Sequence, residues 1–205
     1  MPLPNLPPSS PRTPIASLVA TRTIVSALAL STALAEANKL TLQQFTAAYP
    51  HFVLLVEGKK QAQPKNMMFD TIAPGAQLSA GSVTPALLRI IDGDVRANPA
   101  RYELYPISKT PRNPWTDRVL IGRAPNNDVV LDNQSVSKVH AYIVQQGSSA
   151  QLYSYETRNP TKVGSTTVLP NGPSVPLPDG ADLQIGLVRA RYLSPSALSR
   201  LLRGS

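Results

Sequence analysis

The chain has 205 residues, of which 42% are hydrophobic and 21 are prolines, and its formal charge is +8. Such a length and apolar content support one packed domain with extensions, and the proline share is roughly twice the usual one. Because cysteine is absent and there are only two histidines, we expect neither disulfides nor a metal site. The basic residues are not interleaved with aromatics in a stripe, which argues against nucleic-acid binding.

The first 48 residues fall into two parts. Residues 1–14 are proline-rich with few large apolar side chains and are predicted to be a disordered tail. Residues 15–48 are rich in alanine and leucine and lack glycine and proline, which predicts two helical pieces, with Thr41 or a neighbouring residue capping the second. Residues 22–35 also resemble a signal peptide, so export is the alternative to a cytoplasmic protein. The apolar run is too short to span a membrane.

Residues 15–99 as a whole are predicted to be an N-terminal extension of helical and mixed structure. Within it, residues 51–59 form a short apolar run that ends at a glycine, which indicates a strand. Residues 86–95 are predicted to be a strand with an Asp-Gly turn. Residues 40–99 are expected to pack against the rest of the chain, because "HFVLLV" as an exposed edge strand would promote aggregation.

The pattern becomes all-β after residue 100. Short apolar stretches such as "RVLIG", "DVVL", "HAYIVQQ" and "AQLYSYE" follow one another, separated by turn residues, which predicts a sandwich or a barrel. We place this domain at residues 100–193. Residues 194–205 are predicted to be a closing helix and tail, with Ser194 as the N-cap and proline at the first helical position.

Several motifs in this region occur in a fixed order. Gly122-Arg123 ends an apolar stretch, "NDVVL" follows, Ser137 and His140 open the next stretch, and "TRNPTKV" and "LPDGADLQIG" come later. This series resembles the forkhead-associated (FHA) domain. The resemblance implies a two-sheet β sandwich, mainly β overall, that binds a phosphothreonine-containing protein or peptide through the loops at one end. The sequence names no nucleophile with its base, so we expect no catalysis, and we also expect no cofactor, no nucleic-acid partner and no membrane span.

The resemblance also assigns roles to individual residues. Residues predicted to bind the phosphopeptide are Arg123, Ser137, Lys138, Arg158 and Asn159, and residues predicted to support them are Gly122, His140, Thr157 and Thr161. An arginine fork and a serine hydroxyl suit a phosphate with a charge of about −1.5 to −2. Asn159 would hold the peptide main chain.

Some of these residues have a second interpretation. Arg123 could cap a loop or pair with Asp128, and Ser137 could be a plain turn residue. Lys138 and Arg158 could point into solvent. The departure from the family pattern is Pro160, which stands where the family usually has glycine, since proline fixes φ near −65° and cannot adopt a positive φ. Asn159 then either still reaches the peptide or swings away. The leading hypothesis is a phosphothreonine-recognition module in Ser/Thr-kinase signalling or assembly, and the alternative is a phospho-independent structural adaptor.

Overall fold

The computed structural model describes residues 27–58 and 90–204. The predictions made for residues 1–26 and 59–89 lie outside the described residues. The described part contains four α-helices and a short 3₁₀ turn at Pro99–Arg101. The helices are α1 (Leu30–Ala37), α2 (Leu42–Ala48), α3 (Asp92–Ala97) and α4 (Pro195–Arg203).

The described residues also form twelve β-strands in two sheets, as predicted for a β sandwich. The strands are β1 (Leu28–Ala29), β2 (Val53–Glu57), β3 (Tyr102–Pro106), β4 (Val119–Gly122), β5 (Val129–Val130), β6 (Ala141–Gln146), β7 (Ser149–Ser154), β8 (Thr161–Val163), β9 (Thr166–Val168), β10 (Val175–Pro176), β11 (Asp182–Ile185) and β12 (Val188–Leu193). The seven-stranded sheet has the order β1-β3-β2-β12-β11-β8-β9, and the five-stranded sheet has the order β10-β7-β6-β4-β5. The chain is thus mainly β, with helices at its N-terminal side and at its end.

Strand β2 lies inside the seven-stranded sheet, between β12 and β3. Leu54 and Val56 belong to the core between the two sheets, whereas Val53 and Leu55 face the helices. A strand that is buried on both faces reads as a continuous apolar run, which explains why "FVLLV" has no polar alternation. The seven-stranded sheet therefore takes a strand from the segment that was assigned, from the sequence, to the extension before residue 100.

Two hydrophobic cores share the seven-stranded sheet. The inner core lies between the sheets and includes Ile121, Ile143 and Tyr192. The second core lies on the opposite face of that sheet, where α1, α2 and α4 contribute buried side chains such as Phe45 and Leu198. This second core provides the physical basis for the predicted packing of the N-terminal segment against the sandwich.

The predicted helix caps are confirmed. The Thr41 hydroxyl accepts a hydrogen bond from the backbone nitrogen of Gln44 at 3.2 Å, and the Gln44 side chain closes a capping box. At α4 the Ser194 hydroxyl accepts from the backbone nitrogen of Ala197 at 3.1 Å, with Pro195 at the first helical position. Both helices therefore begin where the sequence predicts.

One predicted strand is wrong in its described part. The Asp-Gly pair of residues 86–95 does not turn a strand but opens helix α3, whose first turn contains Asp92 and Asp94. Carboxylates in the first turn of a helix are stabilised by its dipole. Arg191 of β12 also binds Asp92 and the carbonyl oxygen of Ile90, which fixes the start of the helix.

The apolar stretch "DLQIGLVRARYL" forms the two strands β11 and β12. Gly186 has a φ of +63° and lies in the tight turn between β11 and β12. A left-handed backbone of this kind favours glycine. The turn returns the chain along the same sheet, so both strands pair with each other.

Helix α1 occupies part of the signal-like stretch. Leu30, Ala33 and Ala37 are fully buried in the second core. In residues 27–58 and 90–204 no helix has the length and apolar character needed to cross a bilayer.

Candidate functional site

The candidate site begins where β4 ends, beside the segment that leads into β6. The backbone nitrogen of Arg123 donates a hydrogen bond to the carbonyl oxygen of Ser137 at 2.9 Å, and that of Ala124 donates to Lys138 at 3.0 Å. These two bonds bring Arg123 and Ser137 to the same end of the sandwich, although they come from different segments of the chain.

Gly122 permits this close approach. A Cβ at this position would clash with the carbonyl oxygen of Lys138 and would lie 2.9 Å from Nδ2 of Asn127. The same Asn127 amide donates hydrogen bonds to the carbonyl oxygens of Ala124 and Lys138, each at 2.7 Å. The absence of a side chain at Gly122 and the bridging amide together keep the two segments in register.

Arg123 presents its guanidinium at the surface. Its Nε donates to the carbonyl oxygen of Val136 at 3.2 Å, which anchors the group from one side. Within residues 27–58 and 90–204 its two terminal nitrogens have neither a hydrogen bond nor an ion pair. An anchored guanidinium of this kind retains its fork of donors for an anionic ligand.

The pairing of Arg123 with Asp128, considered from the sequence, is wrong. The buried Asp128 carboxylate instead accepts hydrogen bonds from the backbone nitrogens of Thr110 and Leu120 at 2.7 and 2.8 Å and from the Asn113 amide at 2.5 Å. Burial alone would raise the pKa of Asp128, but these donors hold that pKa below its usual range. The carboxylate therefore fixes the connection between β3 and β4.

His140 supports Ser137 from within the core. The ring is fully buried, and its Nδ1 accepts a hydrogen bond from the backbone nitrogen of Ser137 at 3.0 Å. A neutral imidazole that accepts at Nδ1 carries its proton on Nε2, which has no hydrogen-bond partner in the described part of the chain. Burial lowers the pKa of His140 to about 4, so the ring is neutral at pH 7.

The loop between β7 and β8 lies against the same end of the sandwich. The Thr157 hydroxyl donates to the carbonyl oxygen of Asn159 at 2.7 Å, and the Asn159 amide donates to the carbonyl oxygen of Ser135 at 2.9 Å. The carbonyl oxygen of Pro160 accepts from the backbone nitrogen of Gly186 at 3.1 Å. Asn159 is thus directed toward the segment that precedes Ser137.

Ser135 connects three loops and was not predicted from the sequence. Besides the Asn159 contact, its hydroxyl accepts from the backbone nitrogen of Leu187 at 2.9 Å, and its own nitrogen donates to Oδ1 of Asn133 at 2.9 Å. The only signal in the sequence is the turn-forming run "DNQS", which does not indicate a distant partner. Ser135 therefore fixes the position of Asn159 from the opposite side.

The remaining predicted residues divide into surface and interior. Lys138 and Arg158 are exposed and, like Arg123, form no ion pair with the described residues. Thr161 is fully buried, and its hydroxyl lies 3.0 Å from that of Ser154. The structure therefore brings the cationic side chains of Arg123, Lys138 and Arg158 to the loops at one end of the sandwich. Thr161 instead belongs to the buried interior at the start of β8.

A family model for the FHA domain matches residues 119–186 of this chain. The chain contains an FHA domain. The matched FHA region holds Arg123, Ser137 and Asn159, but it leaves out four strands of the seven-stranded sheet, which are β1, β2, β3 and β12. The described FHA sandwich is therefore longer than the segment that the family model matches.

Solved structures with FHA domains are similar to this chain over less than half its length. Mycobacterium tuberculosis EmbR, solved with a low-affinity phosphopeptide, is 26% identical over 44% of this chain and 21% of its own, with a TM-score of 0.37. An FHA domain studied for phosphothreonine-dependent interactions is 22% identical over 44% of this chain and 82% of its own, with a TM-score of 0.37. The FHA domain of a Chlamydia trachomatis protein is 19% identical over 37% of this chain and 75% of its own, with a TM-score of 0.34. The similarity thus covers about a fifth of the EmbR chain. The search of curated protein sequences found no match to this chain.

Proposed function

We propose that this chain recognises phosphothreonine peptides through the loop end of its FHA domain and acts, without catalysis, in Ser/Thr-kinase signalling or assembly. The observation that supports this most directly is the Arg123 guanidinium, which is anchored through Nε and has no anionic partner in the described part of the chain. A planar fork of free donors suits bidentate contact with a phosphate.

The neighbouring side chains have complementary roles in this proposal. The Ser137 hydroxyl supplies a short neutral donor, Lys138 and Arg158 add positive charge, and Asn159 holds the peptide main chain. Hydrogen bonds to a charged group contribute about 1.5–3 kcal/mol each. Two such bonds are sufficient to separate a phosphorylated peptide from its bare form by two orders of magnitude or more, since about 1.4 kcal/mol is tenfold.

The test replaces Arg123 and a matched exposed arginine away from the site. A degenerate phosphothreonine library first selects one good peptide, which is then titrated by calorimetry against Arg123→Ala and Arg200→Ala. We expect Arg123→Ala to weaken binding roughly tenfold to a hundredfold. Arg200→Ala, on the exposed face of α4, is expected to bind like the parent. An Arg123→Ala protein with full affinity for the phosphopeptide would contradict the proposal.

A second candidate function is a phospho-independent structural adaptor that uses the same sandwich. It is favoured by the state of Asn159, whose amide nitrogen already donates to Ser135, and by Pro160 in place of the usual glycine. In this case, a partner captured by the chain would remain bound after phosphatase treatment. Release of the partner by phosphatase would exclude the adaptor in favour of phosphothreonine recognition.

We further propose that the chain works in the cytoplasm. Cleavage near residues 33–35 would remove Leu30 and Ala33, both fully buried in the second core. N-terminal sequencing of the protein from its native host tests this, because a mature chain that begins near residue 36 would support export instead.

A further inference from the structure

A cavity of about 650 Å³ lies between helices α3 and α4, on the face of the seven-stranded sheet that the helices cover. Its walls come from the start of α3, one side of α4 and the end of β12. Small-molecule sites in proteins have volumes of about 300–1,000 Å³. The cavity is therefore large enough to hold a small ligand.

The floor of the cavity is apolar. Ile90, Leu193 and Leu201 line it and are at most 7% exposed, because they also belong to the second core. At the edge of the cavity, Ile91 is 67% exposed. An isolated exposed aliphatic side chain is common on protein surfaces, but Ile91 continues an apolar floor toward water. The cavity thus offers apolar contact from its floor to its edge.

The charged part of the lining is mostly basic. It consists of three arginines and one carboxylate, which are Arg96, Arg191, Arg200 and Asp92. Arg191 is already paired, since its guanidinium binds the carboxylates of Asp92 and Asp182. This pairing also neutralises Asp92, so the remaining positive charge of the cavity is that of Arg96 and Arg200.

Arg96 and Arg200 retain donors for an anion. Arg96 is anchored through Nη1, which donates to the carbonyl oxygen of Leu201 at 3.2 Å. Within residues 27–58 and 90–204 neither Arg96 nor Arg200 forms an ion pair. The dipole of α4 favours cations near its end, but it supplies no carboxylate to pair with them. A carboxylate or phosphate at the edge of the cavity would gain charge-assisted hydrogen bonds from these guanidinium groups.

We propose that this cavity binds an amphiphilic anion. The apolar body of the ligand packs on the floor and is covered by Ile91 at the edge, and its carboxylate or phosphate binds Arg96 and Arg200. An apolar surface with a few convergent polar groups is the usual composition of a small-molecule site.

The cavity is separate from the candidate phosphopeptide site. Its lining residues other than Gly180 lie outside residues 119–186, the segment that the FHA family model matches. Arg123, Ser137 and Asn159 lie at the loop end of the sandwich and do not line the cavity. Ligand binding at the cavity therefore does not depend on phosphopeptide recognition.

The test is calorimetric titration of the full chain with octanoate, octyl phosphate and octanol, each below the concentration at which it aggregates. The three probes share one apolar chain and differ in the head group, so we expect octanol to bind roughly tenfold more weakly than the better anion. The better anion identifies the head group as a carboxylate or a phosphate. Inorganic phosphate lacks the chain and is expected to bind more weakly than octyl phosphate.

Two variants locate the site, Arg200→Ala and Ile91→Ser. Both side chains are exposed, and serine at the N-cap of α3 favours that helix, so the fold is retained. We expect Arg200→Ala to weaken binding of the better anion roughly tenfold and Ile91→Ser to weaken it severalfold. Arg112→Ala removes an exposed arginine outside the cavity and is the matched control, with binding equal to that of the parent.

Titration with a phosphothreonine peptide separates this site from the phosphopeptide site. We expect Arg200→Ala to lose affinity for the anion but not for the peptide, and Arg123→Ala to show the reverse. Octanol that binds as tightly as the anions would overturn the role of the arginines. Unchanged anion affinity in Arg200→Ala, or no binding of any of the octyl probes to the parent, would overturn the site itself.

Discussion

The loop between β7 and β8 accommodates Pro160 without a left-handed backbone. Among the described residues, Asn171 is the only non-glycine residue with a positive φ, so the loop does not need the freedom of glycine here. Pro160 uses its carbonyl oxygen, which any residue has, to accept from Gly186. The contact of the loop that depends on a particular side chain is the hydrogen bond from the Asn159 amide to the carbonyl oxygen of Ser135.

The loop leads to a paired prediction for phosphopeptide binding. Asn159→Ala removes the amide and its bond to Ser135, and we expect binding to weaken severalfold or more. Pro160→Gly keeps the carbonyl acceptor and adds only backbone freedom to the loop, so we expect a slight weakening. Calorimetric titration of both variants against one phosphopeptide measures the difference. An Asn159→Ala protein that binds like the parent would favour the adaptor function.

Gly122 allows a test of the backbone contact between β4 and the segment before β6. In Gly122→Ala the new methyl group meets the carbonyl oxygen of Lys138, so one segment must move. We expect a lower free energy of unfolding and a loss of phosphopeptide affinity. The control is Gly93→Ala, where the new methyl group meets open space in α3 and alanine favours the helix. Urea unfolding measures both, and equal midpoints would refute the steric argument.

The sequence predicts some residues of the site far better than others. Arg123, Ser137 and His140 could be named because they occur in a recognisable order. Asp128 and Ser135 could not be assigned their roles, because each receives or donates bonds across segments that lie far apart in sequence. Local patterns indicate a turn at these positions but do not identify the distant donor or acceptor.

At the level of secondary structure, β2 shows that the sandwich includes a segment from before residue 100. Its alternate side chains fill both cores, and it separates β12 from β3 in the seven-stranded sheet. The apolar run of residues 51–59 was predicted as a strand, and Val53–Glu57 confirms it. Its position in the middle of a sheet depends on pairing over long distances, which no local pattern reveals.

Strand β2 also leads to a test by truncation. A fragment of residues 100–205 lacks β2 and therefore leaves β3 and β12 with unpaired edges and both cores with missing apolar side chains. Each such side chain contributes about 1.5–3 kcal/mol on burial, and open edges promote aggregation. We expect this fragment to be insoluble or unfolded, whereas residues 27–205 unfold cooperatively. Circular dichroism and gel filtration compare them, and equal solubility and stability would show that β2 is dispensable.

Helix α3 shows where local interpretation failed. An Asp-Gly pair after an apolar run is typical of a turn, yet here it begins a helix. The decisive contact is Arg191, which comes from the far end of the chain and binds both Asp92 and the carbonyl oxygen of Ile90. Tertiary contacts thus override the local preference.

At the scale of the whole molecule, the buried His140 makes stability depend on pH. Its pKa is about 4 in the folded chain, against an ordinary value of 6.5. Between these values the unfolded chain binds a proton that the folded chain does not. The contribution of the neutral ring is complete above pH 6.5 and is lost as the pH falls toward 4, by about 3 kcal/mol in total.

The measurement compares the parent with His140→Asn, in which an amide oxygen can replace Nδ1 as the acceptor for Ser137 but does not titrate. Urea unfolding at pH 7 and at pH 5 gives the loss in free energy of unfolding between the two pH values for each protein. The carboxylates are the same in both proteins and contribute equally to the two losses. We expect the parent to lose about 2 kcal/mol more than the variant over this interval. Equal losses would show that His140 does not carry the pH dependence.

The pairing of Val53 with Leu193 has a consequence for folding during synthesis. Strand β2 leaves the ribosome well before its partner β12, because the long segment between them must be synthesised first. Contacts between distant segments slow folding, and an apolar strand without a partner is prone to aggregate. One edge of β2 can pair with β3 once residue 106 has emerged, but the edge that pairs with β12 stays open until translation has passed residue 193.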